Sequence, residues 1–150
     1  MSQMDELVRR RLIADFPGLA TTDFRVTSPK TQEYNCIAWG ARDSGNWWEP
    51  DPLELYYWPV LDRKYTLESF MAAYESVGFL PCSGGTFEDG FEKLALFVDQ
   101  AGVPTHAARQ LPDGRWTSKL GLLEDIEHEL HALAGRDYGV VKAFMRRPCD

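Results

Sequence analysis

The chain has 150 residues, of which 44% are hydrophobic and 13% aromatic. That is the size and composition of one folded domain over 1–150, not of a disordered segment. Its formal charge of −7 leaves no basic face of the kind that nucleic acids require, so no nucleic-acid partner is expected. Arg9-Arg10-Arg11 and Arg146-Arg147 read as solvated faces. Cys36, Cys82 and Cys149 show no paired spacing, which argues against a disulfide scaffold or a structural zinc knuckle. The N-terminus lacks the apolar run of a signal peptide and no stretch approaches membrane-spanning length. A cytoplasmic protein with no membrane partner is therefore the expectation.

In chain order, Met4, Leu7, Val8, Leu12, Ile13 and Phe16 recur near the helical period over 4–16, and Pro17-Gly18 stops them. Asn35 is suited to cap a helix that begins at Cys36 and dies near Asp43-Ser44-Gly45. Residues 45–62 are periodic in neither sense and read as a long loop rich in Trp, Pro and Asp. Thr66 caps a helix over 67–77, with Glu68 in its first turn and Gly78 past its end.

The second half changes character. Phe91 to Asp99, Pro104 to Leu111 and Arg115 to Leu120 read as strands, joined by turns at Asp99-Gln100-Ala101-Gly102 and Asp113-Gly114. Leu122, Leu123, Ile126, Leu130 and Leu133 predict a third helix over about 122–134. Tyr138 to Arg147 returns as a fourth strand. Helices first, then an antiparallel meander, define an α+β fold.

Two side chains carry the chemistry. Cys36 stands at a helix start, where the helix dipole favours a thiolate, and a nearby imidazole can take the thiol proton. His106 on the second strand is the candidate imidazole. The alternative for Cys36 is a small buried hydrophobe, and for His106 a strand histidine satisfied by a carbonyl. In the catalytic reading the Cys36 amide supplies one oxyanion donor, and Gln32 or Asn35 a second, although Asn35 is also the cap. Ser118 is the candidate to orient His106, but hairpin pairing alone does not set the two opposite each other. Lys119 either reaches solvent or binds an acidic substrate group. Trp47 and Trp48, with Tyr56, Tyr57 and Trp58, line a substrate cleft or else pin a long connection. Glu124, His128 and His131 lie at helical metal spacing without forming a His-Glu-x-x-His pattern, so no metal or other cofactor is expected. His128 is alternatively a second imidazole for the site.

Tyr34-Asn35-Cys36 followed by His106-Ala107 and Asp113-Gly114-Arg115-Trp116 resembles the papain-like cysteine peptidases, in their NlpC-type and transglutaminase-like branches. The departures are specific. The NlpC pattern follows its Cys with Ser-Gly, where Ile37-Ala38 stand here. The transglutaminase pattern places an Asp shortly after the Trp, near where Leu120 stands. Trp116-Thr117-Ser118-Lys119-Leu120-Gly121 is similar to the signature of a small bacterial family without assigned activity. The resemblance implies a papain-like arrangement and a thiol hydrolase or acyltransferase. It would act on amide or peptide bonds through Cys36 and His106, with a peptide or protein substrate. The competing expectation is a noncatalytic protein-binding module on the same scaffold, which uses the Trp-rich loop 45–62. Nothing in the sequence sets the oligomeric state.

Overall fold

The helices form where side chains cap them. A computed structural model of the chain describes residues 3–28, 30–120 and 123–149. In it, α1 spans Gln3–Asp15, α2 Cys36–Gly40 and α3 Leu67–Glu75. The Asn35 side chain accepts the Ala38 amide at 3.1 Å and opens α2. The Thr66 hydroxyl accepts the Ser69 amide at 3.2 Å and opens α3. No helix of the described residues is long and apolar enough to cross a membrane.

Seven strands complete the fold: β1 (Arg25–Ser28), β2 (Leu80–Cys82), β3 (Phe91–Val98), β4 (Pro104–Gln110), β5 (Trp116–Lys119), β6 (Asp125–His128) and β7 (Val140–Pro148). They form one antiparallel sheet in the order β1-β6-β5-β4-β3-β7-β2. The meander β3–β6 is its centre. Its Asp113-Gly114 turn closes with the Leu111 amide on the Arg115 carbonyl at 2.7 Å. Gly114 adopts φ 88°, a conformation open to glycine at no steric cost.

The expected third helix is a correction. Residues 125–128 are strand β6, followed by a 3-10 turn at Leu130–Leu133; Gly121 and Leu122 lie outside the described residues. Ile126 pairs with Ser118 on one side and Val26 on the other. Two ladders of backbone hydrogen bonds outweigh a helical pattern of leucines, because propensity is weak beside tertiary pairing. Strands β1 and β2, at the two sheet edges, also lie in segments that carried no strand signal.

The sheet buries both faces. One cluster joins Leu94, Leu96, Ala107 and Met145 to α2, α3, Trp48 and Trp58. The other joins Ala95, Phe97, Ala108, Trp116 and Ile126 to α1 and the 3-10 turns. Side-chain alternation along β4 therefore sends Ala107 and Arg109 to the α2 face, and His106, Ala108 and Gln110 to the α1 face. α2 approaches the sheet closely: a methyl group at Gly40 would lie 3.3 Å from the Ala107 Cβ.

Candidate functional site

Cys36 opens α2 on the face of the sheet that Ala107 occupies. It is buried, at 8% exposure. Burial pushes its thiol up to about 11, while the amides of Ala107, Cys36 and Ile37 and the charge of Lys119 pull in the other direction. Desolvation wins. A helix start lowers a cysteine pKa only where the thiolate is solvated or paired.

His106 projects from β4 to the other face. It pairs across the ladder with Phe97, meets that ring at a centroid distance of 5.3 Å and stacks on Tyr138 at 4.0 Å. No hydrogen bond joins it to the sulfur, which takes the amide of Ala107, the neighbour of His106 along β4. The expected Cys36–His106 pair is thus corrected: consecutive strand residues point to opposite faces, and α2 covers the face of Ala107.

Ser118 does reach His106. β4 and β5 pair Arg109 with Thr117, so continuing that register sets Ser118 across from Ala108 and diagonal to His106 on the same face. The His106 Nε2 lies 2.9 Å from the Ser118 Oγ, and that oxygen lies 2.7 Å from the Nε2 of His128. The Nδ1 of His128 faces the Glu129 carbonyl at 2.7 Å.

That last contact orders the whole chain of bonds. A carbonyl only accepts, so the Nδ1 of His128 carries hydrogen and its Nε2 is the acceptor. Ser118 must then donate to His128, and its oxygen accepts from the His106 Nε2–H. The remaining His106 Nδ1 is an unprotonated lone pair, buried without a partner. Both rings are neutral: burial holds His106 well below its ordinary value and His128 down to about 4. Ser118 therefore links two buried imidazoles and reaches no reacting centre.

The remaining expected site residues serve other ends. The Asn35 Oδ1 also accepts the Trp48 amide at 3.1 Å, and its Nδ2 donates to the Trp48 carbonyl at 2.7 Å. Its Oδ1 and one of its two Nδ2 hydrogens are spent on the cap and the loop, and the residue is only 7% exposed. Gln32 is exposed, outside the cap. Trp48 is core, at 3% exposure, against Tyr57, Trp58 and Tyr74. Trp47 is half-buried, tilted on Tyr56, and donates to Glu49 at 3.2 Å. Neither tryptophan opens a cleft to Cys36.

Lys119 is buried rather than solvent-reaching. Its Nζ donates to the Leu123 carbonyl and lies 5.6 Å from the centre of the Tyr34 ring. Directly across the ladder stands Asp125, which accepts the Tyr34 hydroxyl at 2.6 Å. Glu124, His128 and His131 lose their shared helical side once β6 forms. Glu124 pairs with Arg11, His128 is spent on Ser118 and the Glu129 carbonyl, and His131 is exposed.

Sequence reasoning missed β6 and the partners it supplies. The alternation Asp125-Ile126-Glu127-His128 carried the signal, since it sends Ile126 and His128 to one face and Asp125 to the other. The fold and site define an α+β protein whose helix-start thiol is sealed against a sheet, apart from its histidines. The chain belongs to the family described as "Domain of unknown function (DUF7689)", whose model matches residues 25–146. That span runs from the first residue of β1 into β7. No curated protein matches the chain, and no solved structure does.

Proposed function

We propose that the chain is a noncatalytic protein-binding module on a papain-like arrangement, with the outer rim of loop 45–62 as its contact surface. What carries the reading is the two-sided construction of that loop. Trp48 and Trp58 are 3% and 6% exposed, while Leu53, Leu55 and Leu61 between and beside them are 76%, 73% and 102% exposed. Burying the two indoles contributes about 2 to 3 kcal/mol each. The outward leucines have no such internal reward.

The rim is also held in shape. The Asp51 carboxylate accepts the Leu55 and Tyr56 amides at 2.7 and 3.1 Å and Arg63 at 3.1 Å. Trp58 donates to the Asp62 carbonyl at 2.9 Å. A preorganised apolar rim loses little entropy on binding, and exposed apolar clusters mark protein contacts. A partner with an apolar face is its natural complement.

The papain-like part of the reading is supported by the capped thiol at the start of α2, packed on the second strand of the meander. Hydrolysis or acyl transfer is disfavoured by the opposite faces of β4 to which Cys36 and His106 belong. A cytoplasmic setting belongs to the same proposal, supported by three free thiols.

The test is affinity capture from the cells of origin with the wild-type chain and with the triple variant Leu53→Ser, Leu55→Ser, Leu61→Ser. A bound protein should fall at least about tenfold with the variant, the weight of a few hot-spot side chains. Equal capture by a variant that still folds would sink the reading.

A further inference from the structure

A cavity of about 450 Å³ opens at the end of the β3–β4 ladder, beyond the C-terminus of α2. Phe87, Phe91, Gln110, Arg42, Arg109 and Glu92 line it. It is separate from both Cys36 and the leucine rim. Four features of it bear on what it binds.

The first is Arg42. α2 ends with the Asp43 amide on the Ala38 carbonyl at 2.9 Å and the Arg42 amide on the Trp39 carbonyl at 3.0 Å. This double closure places Arg42 in the left-handed region at φ 63°, a position that glycine fills at lower cost. An arginine held there against backbone preference puts its guanidinium at the cavity mouth, 3.4 Å from Glu92. Strained residues of this kind collect at functional sites.

The second is Arg109. Its guanidinium stacks on Trp39 at 4.4 Å and donates to the Trp39 carbonyl at 3.1 Å, but it pairs with no carboxylate among the described residues. Burial first, and then the charge of Arg42, hold it down to about 10. Glu92 is already engaged by Arg42 and Arg147. Arg109 is half-buried; a charge partly withdrawn from water without a paired counter-charge is costly, and a bound anion relieves that cost.

The third is Gln110, 7% exposed, whose Nε2 donates to the Gly85 carbonyl at 2.7 Å while its Oε1 has no partner. The fourth is Phe87, an aromatic ring left 44% exposed at the cavity.

We infer that this cavity binds a small molecule with an oxyanion, carboxylate or phosphate, on an aromatic body. Arg42 and Arg109 take the oxyanion in charge-assisted hydrogen bonds. Phe87 and Phe91 face the ring.

The experiment is a titration of 15N-labelled full-length chain with phenyl phosphate, benzoate and inorganic phosphate, followed by amide shifts. At least one aromatic probe should shift residues 87–92 and 109–112 saturably. Inorganic phosphate should bind at least about tenfold more weakly than the better aromatic probe, the weight of one buried ring face. Arg42→Gly and Arg109→Gln should each weaken that binding at least about tenfold, the weight of one charge-assisted hydrogen bond. Arg42 is at the surface and glycine suits its backbone, so that variant keeps the fold. No saturable shift with either aromatic probe, inorganic phosphate binding as tightly, or unchanged binding in Arg42→Gly would each overturn the inference. Comparing phenyl phosphate with benzoate separates a phosphate site from a carboxylate site.

Discussion

A thiol is nucleophilic only to the extent that its surroundings favour the anion, and at Cys36 two influences compete. Helix-start amides and Lys119 favour the thiolate, while burial disfavours it, and the outcome of about 11 shows that burial is larger. The same balance keeps His106 and His128 neutral. At residue scale the informative side chain is therefore Ser118, whose oxygen both rings share. Ser118→Ala leaves a buried N–H on His106 and a buried lone pair on His128, each costing roughly 1–3 kcal/mol. Urea unfolding should show a loss of about 3 kcal/mol, far above the effect of one lost methylene-sized group. A loss below about 0.5 kcal/mol, the level of an ordinary surface substitution, would mean that the three residues do not form a bonded chain. Ser118 was legible as a candidate partner of His106, although hairpin pairing alone does not set the two opposite each other. Its second partner was not, because His128 sat in a segment whose leucines read as helix.

At the scale of elements, Asn35 ties two pieces together. It caps α2 through the Ala38 amide and holds the loop through both backbone groups of Trp48. Losing a cap costs about 1 kcal/mol, and each buried backbone group left unpaired costs a further 1–3 kcal/mol. Asn35→Ala should lose about 3 kcal/mol or more in denaturant unfolding, while Asn35→Asp keeps the cap and the Trp48 amide and should lose less. Equal losses for the two would show that the amide donor to Trp48 does nothing. Caps and turns such as Asn35, Thr66 and Asp113-Gly114 were readable because their chemistry is local. β6 was not, since its stability comes from ladders to Val26 and Ser118, far away in sequence. The loop 45–62 was recognised as a loop, but which aromatics turn inward depends on Asp51 and α3, and composition does not encode that.

For the whole molecule, the two-faced sheet decides both stability and chemistry. The folded values of His106 and His128 lie below the ordinary 6.5, so below that pH the unfolded chain binds more protons than the folded one. Their contribution is complete above pH 6.5 and is lost as pH falls toward 4. Asp125, held above its usual value by burial, works in the opposite direction and offsets part of this. With two imidazoles against one carboxyl, the melting temperature should drop between pH 6.5 and 4, and a flat profile would contradict the buried neutral pair. The sequence carried the alternation of β4, yet not which face α2 would cover, and that single choice separates sulfur from imidazole. The most direct test follows peptide-resolved alkylation of the three thiols by iodoacetamide against pH. Exposed Cys149 should react first, and Cys36 should react slowly below pH 9, with a rate indifferent to His106→Ala in any variant that folds. Rapid labelling of Cys36 near neutral pH, abolished by His106→Ala, would contradict the account.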